Sequence, residues 1–445
     1  MTQVHASTIR PLLICAAVME AAFVLIHAAR DPAEQVALVL VSYLVSGIAF
    51  GWLLWRLGKT GAGGSSRAMI VVLVAGGVVF RLTLLPLSPA TSQDVQRYLW
   101  EGLVQLEGFN PYALPPTAEQ LAPLAKQHLE TWRLINHADI PAVYPPTAQF
   151  LFLCNAAVFG GSLLGWKLIL LVLDGLLAIG VVILLKERSH ALVGLAGVLW
   201  CPLLLIETYE GGHLDVIGAA LTVLAIVAMS RGRPILSAFA LGLSINVKYL
   251  WPLLLMIILA RQAGRGRRCA VFVTVTLAVA VASWIPYRAG VESAVATALM
   301  FAEHWTFNDV IFEQLRGLPG PRWLPMALVT GVLAGLAGLL AVRQPRDIWR
   351  DAWLLTGTAL LLGPVAYPWY FIWIVPGLAL RPPIWLTIWV LSVPALHLVD
   401  WHYVSTGQWD AMPWLWYIVG VVPAVFLVRA WWRRVAQTDE GVPQA

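Results

Sequence analysis

Side chains able to do chemistry are concentrated in a polar stretch that begins directly after the third apolar run. Its residues 92–102 carry four such groups three or four positions apart, which places them on one face of a helix. They are Asp94, Arg97, Tyr98 and Glu101. A carboxylate at Asp94 can take a proton from a sugar hydroxyl, and Arg97 can orient it or meet a phosphate. The structural alternative is a helix beside the membrane with Asp94 as its N-cap and ordinary ion pairs along its face.

Two further stretches bring ionisable groups to the ends of apolar runs. His213 and Asp215 follow a glycine pair at 211–212, and they can bind a metal, hold a phosphate or cap a helix. Lys248 stands between two short apolar runs on a side of the chain with few basic residues. Because ionisable groups at membrane depth are costly, Lys248 is predicted to bind a phosphate. Snorkelling to the membrane surface is the alternative.

Aromatic residues accompany these charges. His304 and Trp305 lie in a polar stretch whose residue types suit sugar stacking and hydroxyl recognition, although an amphipathic surface helix explains them equally well. Tyr370 follows Pro368, which interrupts an apolar run, and an aromatic residue at the membrane interface is the alternative there. Three ionisable groups inside apolar runs are predicted to be structurally paired: Glu20, Lys167 and Asp174.

The elements that must position these residues are apolar helices. Hydrophobic residues make up 59% of the 445 positions and charged residues 12%, about half the charged fraction of a typical soluble domain. Apolar runs recur along the whole chain, and ~20 apolar residues cross a bilayer as a helix. We therefore expect an all-α polytopic membrane protein with about 12–14 transmembrane helices, some of them short or re-entrant. We expect one transmembrane domain over residues 1–434, followed by a polar cytoplasmic tail at 435–445.

The charges sort the loops into two sets. Most basic residues lie in short loops, which predicts that these loops, and both termini, are cytoplasmic in a bacterial inner membrane. Most carboxylates lie in the other loops, including two long ones at about 88–146 and 288–321, where we expect an extracytoplasmic active site. The net charge of +5 is explained by orientation in the membrane, so no nucleic-acid partner is expected.

Two smaller features complete the pattern. The four cysteines, Cys15, Cys154, Cys201 and Cys269, have no metal-ligand spacing and are interpreted as packing residues. The apolar runs 147–163 and 165–185 cannot both cross the membrane if the basic residues after them stay inside. We therefore predict that the first is re-entrant or lies on the surface, with a turn at 160–161.

The motifs and their order resemble the C-type integral-membrane glycosyltransferases (GT-C). Within them, the likeness is to bacterial polyprenyl-phosphate-mannose-dependent mannosyltransferases and the glycosyltransferase 87 group. The resemblance covers about residues 69–428. The motifs that carry it are 94–102 (DVQRYLWEG), 108–112 (GFNPY), 135–137 (INH), 144–149 (YPPTAQ), 212–215 (GHLD), the run through Lys248, 304–308 (HWTFN) and 368–370 (PWY).

The resemblance implies inverting transfer of a sugar from a lipid phosphate to an acceptor hydroxyl on the extracytoplasmic side, with Asp94 as the base. This chain departs from the family pattern in two places. Relatives often carry an acidic pair and a tyrosine where this chain has Gln93 and Gln96, and a histidine where it has Tyr367. The first departure removes one candidate base or metal ligand and leaves Asp94 as the main one.

The resulting hypothesis is a hexosyltransferase, with mannose as the expected sugar. Its donor is a polyprenyl-phosphate sugar, and its acceptor is a hydroxyl of a glycolipid or glycan. Arg97, Lys248 and His213 are predicted to neutralise the leaving phosphate. The remaining predicted substrate-binding residues are Tyr98, Glu101, Tyr144, Asp215, His304, Trp305 and Tyr370.

Three points stay open in the sequence. A divalent metal, Mg²⁺ or Mn²⁺, would have Asp94 and Asp215 as its candidate ligands. The chain could instead be a transporter or flippase of lipid-linked sugars, although such proteins show inverted repeats and charges at the midplane of the membrane. A non-catalytic membrane subunit is the third alternative, suggested by Gln93.

Overall fold

The computed structural model describes residues 2–59, 67–185, 191–248, 251–342, 347–380, 384–421, 424–425 and 428–429. Within these ranges the regular structure is helical, apart from an isolated bridge between Phe307 and Val365. The α-helices are α1 (Thr2–Ile26), α2 (Pro32–Lys59), α3 (Arg67–Leu84), α4 (Asp94–Leu106), α5 (Ala122–Gln127), α6 (Leu129–Trp132), α7 (Pro146–Phe159), α8 (Leu163–Leu185), α9 (Ala191–Leu199), α10 (Pro202–Tyr209), α11 (Asp215–Ser230), α12 (Pro234–Ile245), α13 (Trp251–Ala263), α14 (Arg267–Ala282), α15 (Val291–His304), α16 (Val310–Arg316), α17 (Leu324–Val342), α18 (Ile348–Leu362), α19 (Ile384–Ser392), α20 (Leu398–Thr406) and α21 (Leu415–Val419). Four 3₁₀ helices lie between them: Glu119–Leu121, Ile285–Gly290, Pro368–Leu380 and Val393–His397. The predicted tail at 435–445 lies outside the described residues.

Several helices have the length and composition of membrane spans. Among the described residues, six helices qualify as spans. The count rises to seven if α14 and the helical stretch 285–304 form one span, which would be bent by 56° between them. Large apolar side chains face outward along α2, α3, α8 and α17, as on a surface in contact with lipid. The prediction of an all-helical, multi-pass membrane protein is confirmed. The predicted count of 12–14 also includes shorter apolar helices such as α11, α12 and α13.

The centre of the bundle is the stretch formed by α9 and α10. Every residue of α10 is buried. In the stretch formed by α9 and α10, 78% of the residues are buried, compared with 33% in each of α3, α8 and α17. The 3₁₀ helix Pro368–Leu380 packs against α9, α10 and α11. The ends of α10 and α11 and the start of this 3₁₀ helix are thereby held together, and this positions several of the predicted site residues.

The long loop at 88–146 is organised by α4, which packs along α7. The two helices approach so closely at Gly102 that a Cβ there would lie 2.2 Å from the carbonyl oxygen of Phe152. Helix α7 begins with Pro146 in its first turn and ends at Gly160 and Gly161, both with positive φ, so the predicted turn is present. Its 14 residues extend about 21 Å, less than the hydrocarbon core of a bilayer.

The ionisable residues inside the apolar runs are structurally paired, as predicted, but their partners come from α3 and from the loop that follows it. Asp174 accepts from Arg81 Nε at 2.6 Å rather than from Lys167. The Lys167 ammonium donates to the carbonyl oxygen of Leu87 at 2.5 Å. The Glu20 carboxylate accepts from the hydroxyl of Thr83. These groups are bonded within the bundle and do not take part in the site described next.

Candidate active site

A cavity of about 690 Å³ opens between the start of α4, the loop before α7, the end of α15 and α20. Its volume is in the range of small-molecule sites, and polar groups converge on it from widely separated parts of the chain. Most of the predicted site residues line it: Asp94, Arg97, Tyr144, Lys248, His304, Trp305 and Tyr370. Tyr98, Glu101, His213 and Asp215 lie behind its wall.

Asp94 is the first residue of α4, and its side chain reaches the cavity instead of capping the helix. The N-cap position belongs to Gln93, whose side chain makes no capping bond. The Tyr144 hydroxyl donates to Asp94 Oδ2 at 3.4 Å. Burial raises the pKa of Asp94 above its ordinary value of 3.8, while the charge of Lys248 and the bond from Tyr144 oppose the rise. A carboxylate with a raised pKa is a stronger base than one in water.

Lys248 is held at the cavity wall by a buried partner. Its ammonium donates to both oxygens of Asp215, at 2.9 and 2.8 Å, and lies 3.7 Å from the ring centroid of Tyr370. The Trp373 indole donates to the same carboxylate at 2.9 Å. Asp215 is fully buried at the first turn of α11. It therefore orients Lys248 and does not touch the cavity, which differs from the substrate contact predicted for it.

Arg97 has a different task from the predicted one. Its Nε donates to Glu101 Oε1 at 2.9 Å, and its two terminal nitrogens donate to the backbone carbonyls of residues 136–137 and 140–141. All five N–H groups of the guanidinium are thus used within the protein. We correct the predicted role in neutralising a phosphate, because Arg97 instead fixes the loop that forms one cavity wall.

Glu101 and Tyr98 support this wall from behind. The Glu101 carboxylate accepts from Arg97 and, at 2.5 Å, from the side chain of Gln149 on α7. The Tyr98 ring packs against Tyr144 and Phe152, with centroid distances of 4.9 Å to each. Neither residue lines the cavity, so the predicted sugar contacts are replaced by packing roles.

His213 is also behind the wall. Its ring is fully buried and stacks on Trp369 with centroids 3.9 Å apart. Neither ring nitrogen has a hydrogen-bond partner among the described residues, and Glu207 lies 3.7 Å from Nε2. This position corrects the prediction that His213 neutralises the phosphate, because the imidazole is shielded from the cavity by Trp369.

A column of stacked rings forms the floor of the cavity. Phe307 stacks on Tyr367 at 4.5 Å, Tyr367 on Trp369 at 4.7 Å, and Trp369 on His213. Backbone bonds on both sides of Phe307 tie this column to the segment at 364–366. Tyr367 is therefore a stacked structural residue whose edge faces the cavity. In the family that the sequence resembles, a histidine often occupies this position.

His304 and Trp305 lie at the rim. They end α15, where His304 Nδ1 lies 3.0 Å from the carbonyl oxygen of Met300. The Trp305 ring contacts Phe301 and the ring of His137, with centroids 5.1 and 4.9 Å apart. The rim is thus aromatic and carries two imidazoles.

The sequence patterns missed part of the opposite wall. Asp400, Tyr403 and Trp409 line the cavity from α20 and the loop after it. Asp400 was recognisable only as one of many carboxylates in the loops predicted to lie outside, and no motif spacing connects these residues with Asp94. Their position depends on tertiary packing alone.

The residues present do not fit a divalent ion between Asp94 and Asp215. Both oxygens of Asp215 are bonded to Lys248, and an ion would have to displace this ammonium. In the part of the chain that the structure describes, no three His, Cys, Asp or Glu side chains are grouped to hold a metal. We therefore derive no step through a metal.

Comparison with known proteins gives two findings. The family model of the MptA_B family, described as alpha-(1->6)-mannopyranosyltransferase, N-terminal domain, matches residues 14–264. Alpha-(1->6)-mannopyranosyltransferase A of Mycobacterium tuberculosis is 26% identical over 373 residues, which cover 76% of this chain and 70% of the relative. No solved structure matches. Because the family model spans more than half of the sequence and includes Asp94, Tyr144, Asp215 and Lys248, the chain belongs to the MptA_B family of alpha-(1->6)-mannopyranosyltransferases.

Proposed function

We propose that this protein is an inverting mannosyltransferase that uses a polyprenyl-phosphate mannose as donor. The acceptor is a hydroxyl of a glycolipid or glycan at the extracytoplasmic face of the bacterial inner membrane. The observation that carries the proposal is that Asp94 and Lys248, a base and a cation, line the same cavity in a chain of apolar helices. Family membership supports mannosyl transfer as the reaction.

Asp94 has the environment of a general base. Burial raises its pKa, so it binds a proton more readily than an exposed aspartate, and Tyr144 fixes one of its oxygens. In the proposed step the acceptor oxygen attacks the anomeric carbon and gives its proton to Asp94. A new carbon–oxygen bond forms on one face of the sugar while the bond to the phosphate oxygen breaks on the other.

Lys248 is placed to stabilise the leaving group. The electron pair of the broken bond stays on the phosphate, and a positioned cation is most effective at charge that develops in the transition state. Asp215 and Tyr370 fix the position of the ammonium before the donor binds. His304 and His137 at the rim supply further hydrogen-bond donors for the phosphate or the sugar.

One feature supports a lipid donor, and another indicates its anomeric configuration. The distribution of basic residues predicts that the cavity faces away from the cytoplasm, where nucleotide sugars are made. The name of the mycobacterial relative specifies an alpha linkage. Because inversion gives an alpha product only from a beta-linked donor, we propose that the phosphate leaves from a beta-mannosyl phosphodiester.

The test is the Asp94→Asn variant in purified full-length protein. With polyprenyl-phosphate mannose and an alpha-mannoside acceptor, we expect turnover to fall by about 10³-fold, within the range for a lost general base. Binding of the donor should stay within twofold, because Asn keeps the size of the side chain. Asp139→Asn, at an exposed carboxylate of the same outer loop, is the matched control and should keep normal turnover. Near-normal turnover of Asp94→Asn would refute the assignment.

A second measurement separates transfer from transport. In proteoliposomes a flippase would move the labelled donor between leaflets without forming a glycosidic bond. We expect a labelled disaccharide product and no movement of the donor beyond that of empty vesicles. Movement of the donor without a product would support the transporter alternative and contradict the proposed function.

A further inference from the structure

A second carboxylate lines the cavity on the wall formed by α20. The Asp400 side chain is 18% exposed, and its Oδ2 lies 2.7 Å from Nδ1 of His397. This leaves Oδ1 as the oxygen available to the cavity. Tyr367 lines the same cavity as both Asp94 and Asp400. The two carboxylates therefore belong to the same site.

Asp400 is held in a fixed orientation by a buried chain of hydrogen bonds. His397 lies between two carboxylates, with Nε2 at 2.6 Å from Glu207 Oε1 and Nδ1 at 2.7 Å from Asp400. Ionised carboxylates only accept hydrogen bonds, so both ring nitrogens must donate and the ring is an imidazolium. The Tyr43 hydroxyl donates to the same Glu207 oxygen at 2.5 Å. Such a chain fixes the carboxylate more firmly than a solvent contact would.

The charge of this wall selects its ligand. The single positive charge of His397 is shared by Glu207 and Asp400, so the three groups together carry about one negative charge. A lipid phosphate is repelled by this wall, where no cation among the described residues faces the cavity, whereas Lys248 lines the other wall and presents an ammonium that Asp215 partly neutralises. A neutral, hydroxyl-rich molecule has no such penalty, and it can donate hydrogen bonds to the free oxygen of Asp400.

Two aromatic side chains stand beside Asp400. Tyr403 is 49% exposed and Trp409 is 51% exposed, and both line the cavity with ring centroids 5.9 Å apart. Rings of this kind offer an apolar face together with a polar edge. A pyranose ring has the complementary character, with C–H groups on its faces and hydroxyls around its edge.

We propose that Asp400, Tyr403 and Trp409 form the acceptor subsite, which binds the non-reacting hydroxyls and the apolar face of a neutral glycan. This inference rests on the proposed mannosyl transfer, and it assigns the α20 wall to the acceptor and the Lys248 wall to the donor. His397 and Glu207 are positioning residues that act through Asp400. The subsite lies outside residues 14–264, which the family model matches.

The experiment measures acceptor binding directly, apart from catalysis. Purified full-length protein is titrated with alpha-(1->6)-linked mannotetraose by saturation-transfer NMR or calorimetry, without donor. Asp400→Asn keeps an oxygen that accepts from His397 but loses the charge. Since hydrogen bonds to charged groups are stronger by about 1 kcal/mol, we expect binding to weaken at least about fivefold. Trp409→Ala, a change at an exposed ring, should weaken binding to a similar degree and provides a second variant.

Matched controls separate this inference from the proposed function. Asp410 lies beside Trp409 in the loop after α20 but does not line the cavity. The Asp410→Asn variant keeps an oxygen that can accept from the backbone of Met412 and should bind mannotetraose normally. In turnover assays, Asp400→Asn should raise the KM for the acceptor at least about fivefold and leave the KM for the donor within twofold. Asp94→Asn should lose turnover but still bind mannotetraose.

The outcomes are distinct. If wild-type protein binds mannotetraose and both subsite variants bind it equally well, the acceptor subsite is refuted while the role of Asp94 stands. A rise in donor KM alone would likewise overturn the assignment of this wall. The wild-type protein could bind mannotetraose more tightly than Asp400→Asn does and yet transfer no mannose from the lipid donor. In that case the proposed function is refuted, whereas Asp400 remains part of a sugar-binding subsite.

Discussion

The neighbours of Asp94, the proposed base, act on its carboxylate in opposite directions. Its half-buried position favours the protonated form, whereas Lys248 and the Tyr144 hydroxyl favour the ionised form. The result is a carboxyl group whose pKa is raised and which acts in its ionised form in the proposed mechanism. Because each influence comes from a different residue, each can be altered separately.

The pH dependence of turnover follows from this balance. The base is needed in its ionised form, so activity should be lost as the pH falls through the raised pKa of Asp94. Tyr144→Phe removes a hydrogen bond that lowers this pKa, so the acidic limb of the kcat/KM profile should move to higher pH. Tyr287→Phe makes the same change at a hydroxyl bonded to Gln105, away from the cavity, and should leave the limb in place. A shift to lower pH in Tyr144→Phe would contradict the assignment.

Lys248 and Asp215 are predicted to be coupled in stability but not in activity. Lys248→Met leaves the Asp215 carboxylate buried without its cation, which costs about 3–5 kcal/mol of unfolding free energy. The double variant Lys248→Met/Asp215→Asn removes the buried charge and should recover most of this loss in thermal unfolding. Both variants should remain poor catalysts, because each lacks the cation for the phosphate. Equal stability of the single and double variants would show that the pair is not coupled.

The roles of single residues were only partly predictable from the sequence. Of the residues singled out by the spacing in 92–102, Asp94 and Arg97 line the cavity together with the isolated Lys248, whereas Tyr98 and Glu101 do not. The role of Arg97 was not readable, because its partners are backbone carbonyls about forty positions later in the chain. The burial of His213 was likewise not predictable from the sequence, because it depends on the stacked ring of Trp369.

Among the elements, α4 has the closest packing constraint. A Cβ at Gly102 would lie 2.2 Å from the carbonyl oxygen of Phe152, and backbone atoms of α7 cannot yield as a side chain can. We expect Gly102→Ala to destabilise the protein by about 1–3 kcal/mol and to reduce turnover, because α4 also carries Asp94. Gly175→Ala on α8, where no atom lies within 4 Å, is the control and should unfold at or above the wild-type temperature. Wild-type behaviour of Gly102→Ala would show that α4 and α7 are not packed as described.

Individual elements were predicted best where local signals are strong. The start of α4 and the turn at 160–161 follow from composition and from a glycine pair. The stretch 119–135, by contrast, consists of a 3₁₀ turn and two short helices rather than one continuous helix. It lies in the long loop at 88–146, where contacts with α4 and not helix propensity decide the local conformation.

At the scale of the whole molecule, orientation in the membrane is the main prediction. Charge bias places Glu107 outside and Arg265 inside, and both side chains are exposed. In a variant without the four native cysteines, an impermeant maleimide applied to intact spheroplasts should label Glu107→Cys. It should label Arg265→Cys only after the membrane is permeabilised. The reverse pattern would place the cavity in the cytoplasm and contradict the lipid-donor proposal.

The class of the molecule was predictable, and the composition of its cavity was not. Apolar runs and sparse charge suffice to predict a multi-pass helical protein, because a helix in lipid must satisfy its own backbone. The cavity joins Asp94 to Asp400, more than three hundred positions later, and no periodicity reports such a contact. The short helices α11, α12 and α13 are also a whole-molecule property, because their ends are fixed by neighbours in the bundle.

The pairing of Lys248 with Asp215 has a consequence for repeated cycles. In the proposed reaction, the donor is a mannosyl phosphodiester with one negative charge, whereas the spent carrier lipid is a monoester with up to two. A lysine without a partner would hold the spent carrier more tightly than the fresh donor and would slow each round. Because Asp215 already neutralises much of this ammonium, we expect the proposed site to release the used carrier more readily than an unpaired lysine would.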